Sequence, residues 1–361
     1  MKKIFFLFTF LILNCSVFAQ HDDAWVAFWN KDTTLIGFKD KNGVIKIAPK
    51  FMGFTTAQKF ENIIAVTEEE NNQWKSYYLT KQGKIVGRDS LYTFDNGPDS
   101  ENEGFIRFRD PKTDKMGFFN GEGKIAIPAE YSNLSKVQNG MIVALKGAEK
   151  VMAGFDGHFS WVGGKDYLID TNNKILIEDF EYNDQLNFYS LQKSKEPSKD
   201  EIRDNFRGVN DEYYSFINFD KEFNHWLKNT LLTNLSKANL EKHAMNTITY
   251  WKEPDGWINT PKTKFIHQNY TYLKQKLQEL KNPKCDYFVS TDGLNQFIFE
   301  SSEYDSYFNN SNESIEWKYP VKNIVINPKN KSEFKQDHIQ FLRTDNGYKL
   351  LCVSAQKDNL K

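Results

Sequence analysis

Side chains able to do chemistry are present in this chain, but their spacing does not assemble a reaction. The six histidines, His21, His158, His225, His243, His267 and His338, contain no H-E-x-x-H pair and no Cys/His spacing of a zinc site. His225 and His243 stand in helical surroundings, and a shared metal would need both faces to converge with a carboxylate. Asp337-His338 is a fragment of a catalytic triad, yet no G-x-S-x-G elbow supplies its nucleophile. Cys285 follows Pro283-Lys284 and Cys352 lies on an apolar strand, so neither has the surroundings of a reactive thiol. As a pair they read equally as one disulfide or as two buried thiols. Glu68-Glu69-Glu70 reads as a solvated run on a loop, and paired acids for glycoside hydrolysis depend on a spatial separation that linear order does not reveal. No catalytic, cofactor-binding or metal-binding residue is assigned.

What remains is recognition by aromatic side chains. Trp161 lies in a glycine-rich stretch, 154–164, that also carries His158. Such a stretch cradles phosphate only between a strand and a helix N-terminus. No helical pattern follows, so a decorated hairpin is expected. Trp251 and Trp257 bracket W-K-E-P-D-G-W, a turn with Pro254 and Gly256, and Trp317 with Tyr319 forms a second cluster. Exposed tryptophans offer large rigid platforms to sugars or peptides; the competing role is to pin a loop to a core. Trp161 and Trp257 are the candidate partner-binding residues.

The elements that must position them begin with a repeat. Residues 37–51 and 117–131 read G-F-K-D-K-N-G-V-I-K-I-A-P-K-F and G-F-F-N-G-E-G-K-I-A-I-P-A-E-Y, with weaker copies at 77–87 and 167–177. Their turn residues Gly43, Gly83, Gly123 and Asn173 are separated by 40, 40 and 50. Glycine and asparagine tolerate the positive φ that a tight turn demands. Ile45 and Ile47, like Ile125 and Ile127, alternate after the turn as a half-buried strand does. Pro49 and Pro128 then end the pairing. A further apolar segment about twenty residues past each turn, at 63–66, 105–108 and 141–145, completes a three-stranded meander that shares its apolar face with its neighbours.

These residues resemble the WG-repeat family, also called KWG repeats, whose unit reads roughly W-G-(F/Y)-x-(D/N)-x-x-G-x-x-V-I-P-P-x-(Y/F). Gly37-Phe38, Gly117-Phe118, Gly43, Gly123, Ile47, Ile127, Phe51 and Tyr131 fall on the pattern. Ile36 and Met116 stand where the naming Trp is usual, and each strong copy keeps one of the two prolines. The resemblance covers about residues 25–180. It implies an all-β array, often envelope-associated in bacteria, and carries no catalytic residues.

The second half changes character. The charged stretch after Gln192, with Pro197 and a capping-type Ser198-Lys199-Asp200-Glu201, reads as a linker leading into a helix. Phe223, Trp226, Leu227 and Leu231, then Tyr270, Leu273, Leu277 and Leu280, recur at helical spacing. Strands are expected at 286–290, 294–300, 321–327, 338–343 and 348–354, the last two joined through Asp345-Asn346-Gly347. Helices followed by an antiparallel sheet loosely resemble the nuclear-transport-factor-2-like cone, which implies a cavity.

At the N-terminus, Lys2 and Lys3, the apolar run 4–13 and the small residue Ala19 form a secretory signal peptide over 1–19. Cys15 offers lipidation as the alternative, although Asn14 stands where that processing wants a small residue. No later stretch is long and apolar enough to span a membrane. Of 361 residues, 47 are basic and 48 acidic, and the arginines are scattered, which excludes the electrostatic footprint of a nucleic-acid binder.

The expected organisation is an all-β repeat array of β-meanders over 20–183, a linker over 184–210 and a separate α+β domain over 211–361. The expected function is that of an exported protein, periplasmic, outer-membrane-associated or extracellular. It binds or scaffolds a protein or glycan partner of the envelope without catalysis. The alternative is an envelope hydrolase whose site lies in the C-terminal domain.

Overall fold

The computed structural model describes residues 23–94, 97–152, 159–328, 336–355 and 360–361. The signal-peptide segment, Cys15, His21 and His158 lie outside the described residues. The recurrent turn closes the same way each time. Gly43, Gly83, Gly123 and Asn173 take φ of +82°, +84°, +67° and +63°. Three residues before each, Asp40, Asn120 and Asp170 use one side-chain oxygen to accept two backbone N–H groups of their own turn, and Thr80 accepts one. An Asx-type side chain thus stands in for strand partners that the tight reversal removes.

Each turn joins the second and third strands of an antiparallel meander. The four are Trp25–Trp29, Leu35–Lys39 and Ile45–Met52; Ile63–Glu70, Gln73–Thr80 and Ile85–Val86; Phe105–Arg109, Met116–Asn120 and Ile125–Tyr131; Met141–Lys146, Lys165–Asp170 and Ile175–Ile177. The apolar segments expected as the last strand of a unit are instead the first strand of the next. At 63–66 and 141–144 unbroken hydrophobicity accompanies burial on both faces, whereas Arg107 interrupts the run at 105–108. Ile64 and Val66 enter one core with Phe38 and Phe51, while Ile63 and Ala65 enter another with Ile106 and Phe119. Ile142 and Ala144 pack with Phe118 and Ile127, while Met141 and Val143 pack with Phe188 and Phe216. Successive meanders therefore share cores along the chain.

Gly37 and Gly117 explain why two copies are strong. At both, pairing with the third strand shifts register, and an added Cβ would stand 2.5 Å from the carbonyl oxygen of Ile47 or Ile127. Their third strands run for 8 and 7 residues. Tyr77 and Tyr167 occupy the equivalent positions in the weak copies, where the third strand stops after 2 and 3 residues.

The stretch 184–210 does not lead into a helix. Leu186–Ser194 and Arg203–Arg207 flank Tyr213–Asn218 in a three-stranded sheet, and Leu186, Phe188, Tyr214 and Phe216 complete the last shared core. Asn205 bonds both the N–H and the carbonyl of Ser198, which holds that residue away from a capping role. The first helix, Phe219–Trp226, is capped by Asn218 and runs into a wider turn, Leu227–Leu231. Helices Lys237–Lys242 and Lys262–Glu279 follow.

The helices cover one face of a six-stranded sheet whose order is Gly256–Pro261, Ala244–Lys252, Gly347–Ser354, Asp337–Thr344, Val321–Ile326 and Tyr287–Asp292. Its pairings are antiparallel except the parallel one between Ala244–Lys252 and Gly347–Ser354. The expected strand at 294–300 is a turn. Asn295 takes the N–H groups of Phe297, Ile298 and Phe299, and Leu294 and Phe299 cover the second face of the sheet. Cys285 packs on the helix side and Cys352 on the opposite face, so the two are not bonded to each other. The chain is mostly β and its sheets are largely antiparallel. Among the described residues no helix is long and apolar enough to cross a membrane.

Candidate functional site

Trp161 and Trp257 are placed on separate sheets, each beside an aromatic partner. The strands Glu149–Met152 and Phe159–Val162 pair only with each other. Lys150 opposes Trp161 and Met152 opposes Phe159, so these four side chains share one face. Phe159 and Trp161 meet edge to face with centroids 5.4 Å apart. Lys150 holds Asp114 in an ion pair while its ammonium lies 4.5 Å from the Phe159 centroid. Met152 and Phe159 remain exposed.

The turn read around Pro254 is the tip of a hairpin, Ala244–Lys252 to Gly256–Pro261, in which Trp251 and Trp257 are directly opposite. Their centroids are 5.2 Å apart, and they stay 38% and 43% exposed. The two rings therefore pack on each other, at a sheet edge, instead of anchoring a loop to the core.

A third arrangement was not legible in the sequence. A cleft of about 330 Å³ opens where the repeat region meets the helix-and-sheet region, walled by Tyr182, Phe219 and Trp317, with Asp184, Glu316 and Lys136 on its lining. Strand and turn backbone from distant segments hold it together. Asn310 accepts from the N–H groups of Gln58 and Lys59, and Glu313 receives Lys136 in an ion pair. Lys322, whose side chain is fully buried, donates to Gln185 at 2.7 Å, Thr291 at 2.6 Å and Asp220 at 2.5 Å. Burial lowers its pKa, opposed by Asp220. The Glu316 carboxyl titrates above the usual range, from burial first and then from the negative charges of Asp184, Asp292 and Glu313.

The remaining titratable candidates are dispersed. His338 contacts Asn323, and burial lowers its pKa. Its neighbour Asp337 pairs with Lys276 and Tyr272. His225 contacts Asn229 and His267 faces Glu241, while His243 packs edge-on to Trp226. Among the described residues no three His, Cys, Asp or Glu side chains are placed to share a metal ion. No protein-family model, no curated protein and no solved structure matches the chain.

Proposed function

We propose that this chain is an exported binding or scaffolding protein of the envelope, built from a WG-type repeat array and an α+β domain, that holds a protein or glycan partner through exposed aromatic side chains. The observation that carries the reading is the pair of aromatic clusters on paired strands, Phe159 with Trp161 and Trp251 with Trp257, in which Phe159, Trp251 and Trp257 are exposed and Trp161 is half-buried. Rings that pack edge to face on each other are already ordered, so a partner that covers them meets little side-chain entropy cost. Lys150 above the first pair adds a cation to the aromatic face.

A glycan array probed with the parent protein, Trp161→Ala and Trp257→Ala, together with crosslinking to envelope fractions, tests the reading. A buried aromatic anchor contributes about 2 kcal/mol or more, so at least one variant should lose most of the binding. The hydrolase alternative would need an acid pair, and Asp184 with Glu316 is the pair facing one cleft. Hydrolysis of an envelope polymer that Glu316→Gln abolishes, with both tryptophan variants binding as the parent does, would replace the binding reading with that one.

A further inference from the structure

The cleft between the repeat region and the six-stranded sheet carries more negative charge than its own cations neutralise. One ammonium group, Lys136, lies on its lining and a second, Lys322, is fully buried behind Gln185 and Thr291, and both are committed. Lys136 pairs with Glu313 and bonds Ser100 at 3.0 Å, and Lys322 is held by Asp220, Gln185 and Thr291. Asp184, Asp292 and Glu316 have no ion-pair partner among the described residues. Asp184 accepts only from the neighbouring Gln185 amide and Asp292 from the Ser290 hydroxyl. Glu316 lies over Gly293, where an added Cβ would stand 3.0 Å from its carboxylate. Like charges in a partly desolvated recess raise the energy of the empty site, and an arriving cation returns that energy.

The walls specify the kind of cation. Tyr182 and Trp317 present aromatic surface to the same space, and the Trp317 ring already draws the Lys136 ammonium to 5.6 Å from its centroid; aromatic faces attract ammonium and guanidinium groups while covering the carbon chain that carries them. A bare metal ion needs oxygen ligands gathered around one point, whereas no such group converges among the described residues. A volume of about 330 Å³ is at the small end of ligand pockets. We propose that this cleft binds an organic cation, an ammonium or guanidinium group on a short aliphatic chain, between its aromatic walls and the Asp184 and Glu316 carboxylates. The proposal stands on different residues from the two aromatic clusters and does not depend on them.

The test is a titration of the ¹⁵N-labelled protein followed at the Trp317 indole N–H resonance, identified by its disappearance in Trp317→Phe. The probes are 1,5-diaminopentane, N-acetyl-lysine methylamide, and the uncharged and anionic controls 1,5-pentanediol and glutarate. A few well-placed heavy atoms support a dissociation constant of about 1 mM. Glu316→Gln should weaken the cation by about tenfold, the loss expected of one charge-assisted contact. The variant should fold, because Glu316 has no partner to lose. Preference for the lysine amide would assign the cation to a protein partner, and preference for the diamine to a free small molecule. Trp161→Ala and Trp257→Ala should bind both probes as the parent does. The proposal fails if neither cation gives a saturable shift up to about 20 mM, if glutarate or pentanediol matches the cations, or if Glu316→Gln binds as tightly as the parent.

Discussion

Replacing Gly117 and Gly43 by alanine should separate two reasons for which this fold needs glycine. Gly43 lies in the open turn at φ +82° with no atom within 4 Å of an added Cβ. Alanine there meets only the left-handed backbone cost, about 1–2 kcal/mol, less about 0.4–1 kcal/mol from the stiffer unfolded chain. The net loss should be near 1 kcal/mol. Gly117 differs, because its Cβ would sit 2.5 Å from the Ile127 carbonyl oxygen and 2.8 Å from two ring atoms of Phe108. Real Cβ atoms essentially never approach closer than 3.0 Å, so the third strand must retreat by about half an ångström, which loosens its pairing with Phe118 and strains a core shared with the next meander. Overpacking alone costs about 1–3 kcal/mol, and the lost pairing adds to it, so about 3 kcal/mol or more is expected. Urea unfolding followed by fluorescence, with midpoints compared at constant slope, measures both. Equal losses at the two glycines, or a loss at Gly117 under about 1 kcal/mol, would refute the claim that backbone approach at this position sets third-strand length.

Removing Arg107 should leave the fully buried Asp99 carboxylate without its partner and cost about 3–5 kcal/mol at neutral pH by chemical denaturation. Burial pushes Asp99 up, but Arg107 overcomes this and holds the carboxyl below its ordinary range. The pair's contribution is therefore present above the ordinary aspartate range and lost as pH falls through the lowered value, so the gap between Arg107→Ala and parent should narrow in acid. Glu316 has the opposite sign. Its folded carboxyl titrates above the unfolded one, so the parent loses stability as pH rises between the two values, and Glu316→Gln should melt higher than the parent near neutrality but not in acid. Burial pushes the Cys352 thiol up to about 12, so a thiol reagent near neutral pH should leave Cys352 unlabelled until the protein unfolds; equal labelling of Cys285 and Cys352 in the folded chain would contradict this placement.

Local chemistry made the meander turns legible. A positive-φ residue three positions after Asp40, Thr80, Asn120 or Asp170 is fixed within the turn itself, and spacing along the chain exposes it. Partner choice was not local. Ile63-Ile64-Ala65-Val66 reads as a buried strand, but which meander it begins depends on two cores formed by residues before and after it. The same limit hid the pairing of Ala244–Lys252 with Gly347–Ser354, a parallel contact across most of the C-terminal half. At 294–300 the apolar run L-N-Q-F-I-F-E has strand composition. Asn295 overrides it, because one side chain and one carbonyl capture three successive N–H groups.

Of the aromatic candidates, Trp251 and Trp257 could be recognised as a pair from the short turn between them, since opposed positions on a hairpin bring side chains together. The cleft required a different clue, and one was present in Val321-Lys322-Asn323-Ile324-Val325-Ile326, a strand buried along its whole length. Lysine is almost never enclosed unless its charge is met, so Lys322 in such a run demands an anion and further acceptors from elsewhere in the chain. Asp220, Gln185 and Thr291 meet that demand from three separate segments. Gathering them brings Tyr182, Asp184 and Phe219 beside the Glu316-Trp317 loop, and the cleft is the space these elements leave between them. The internal cation is thereby fully used, which is why the carboxylates at the mouth are left to an external one.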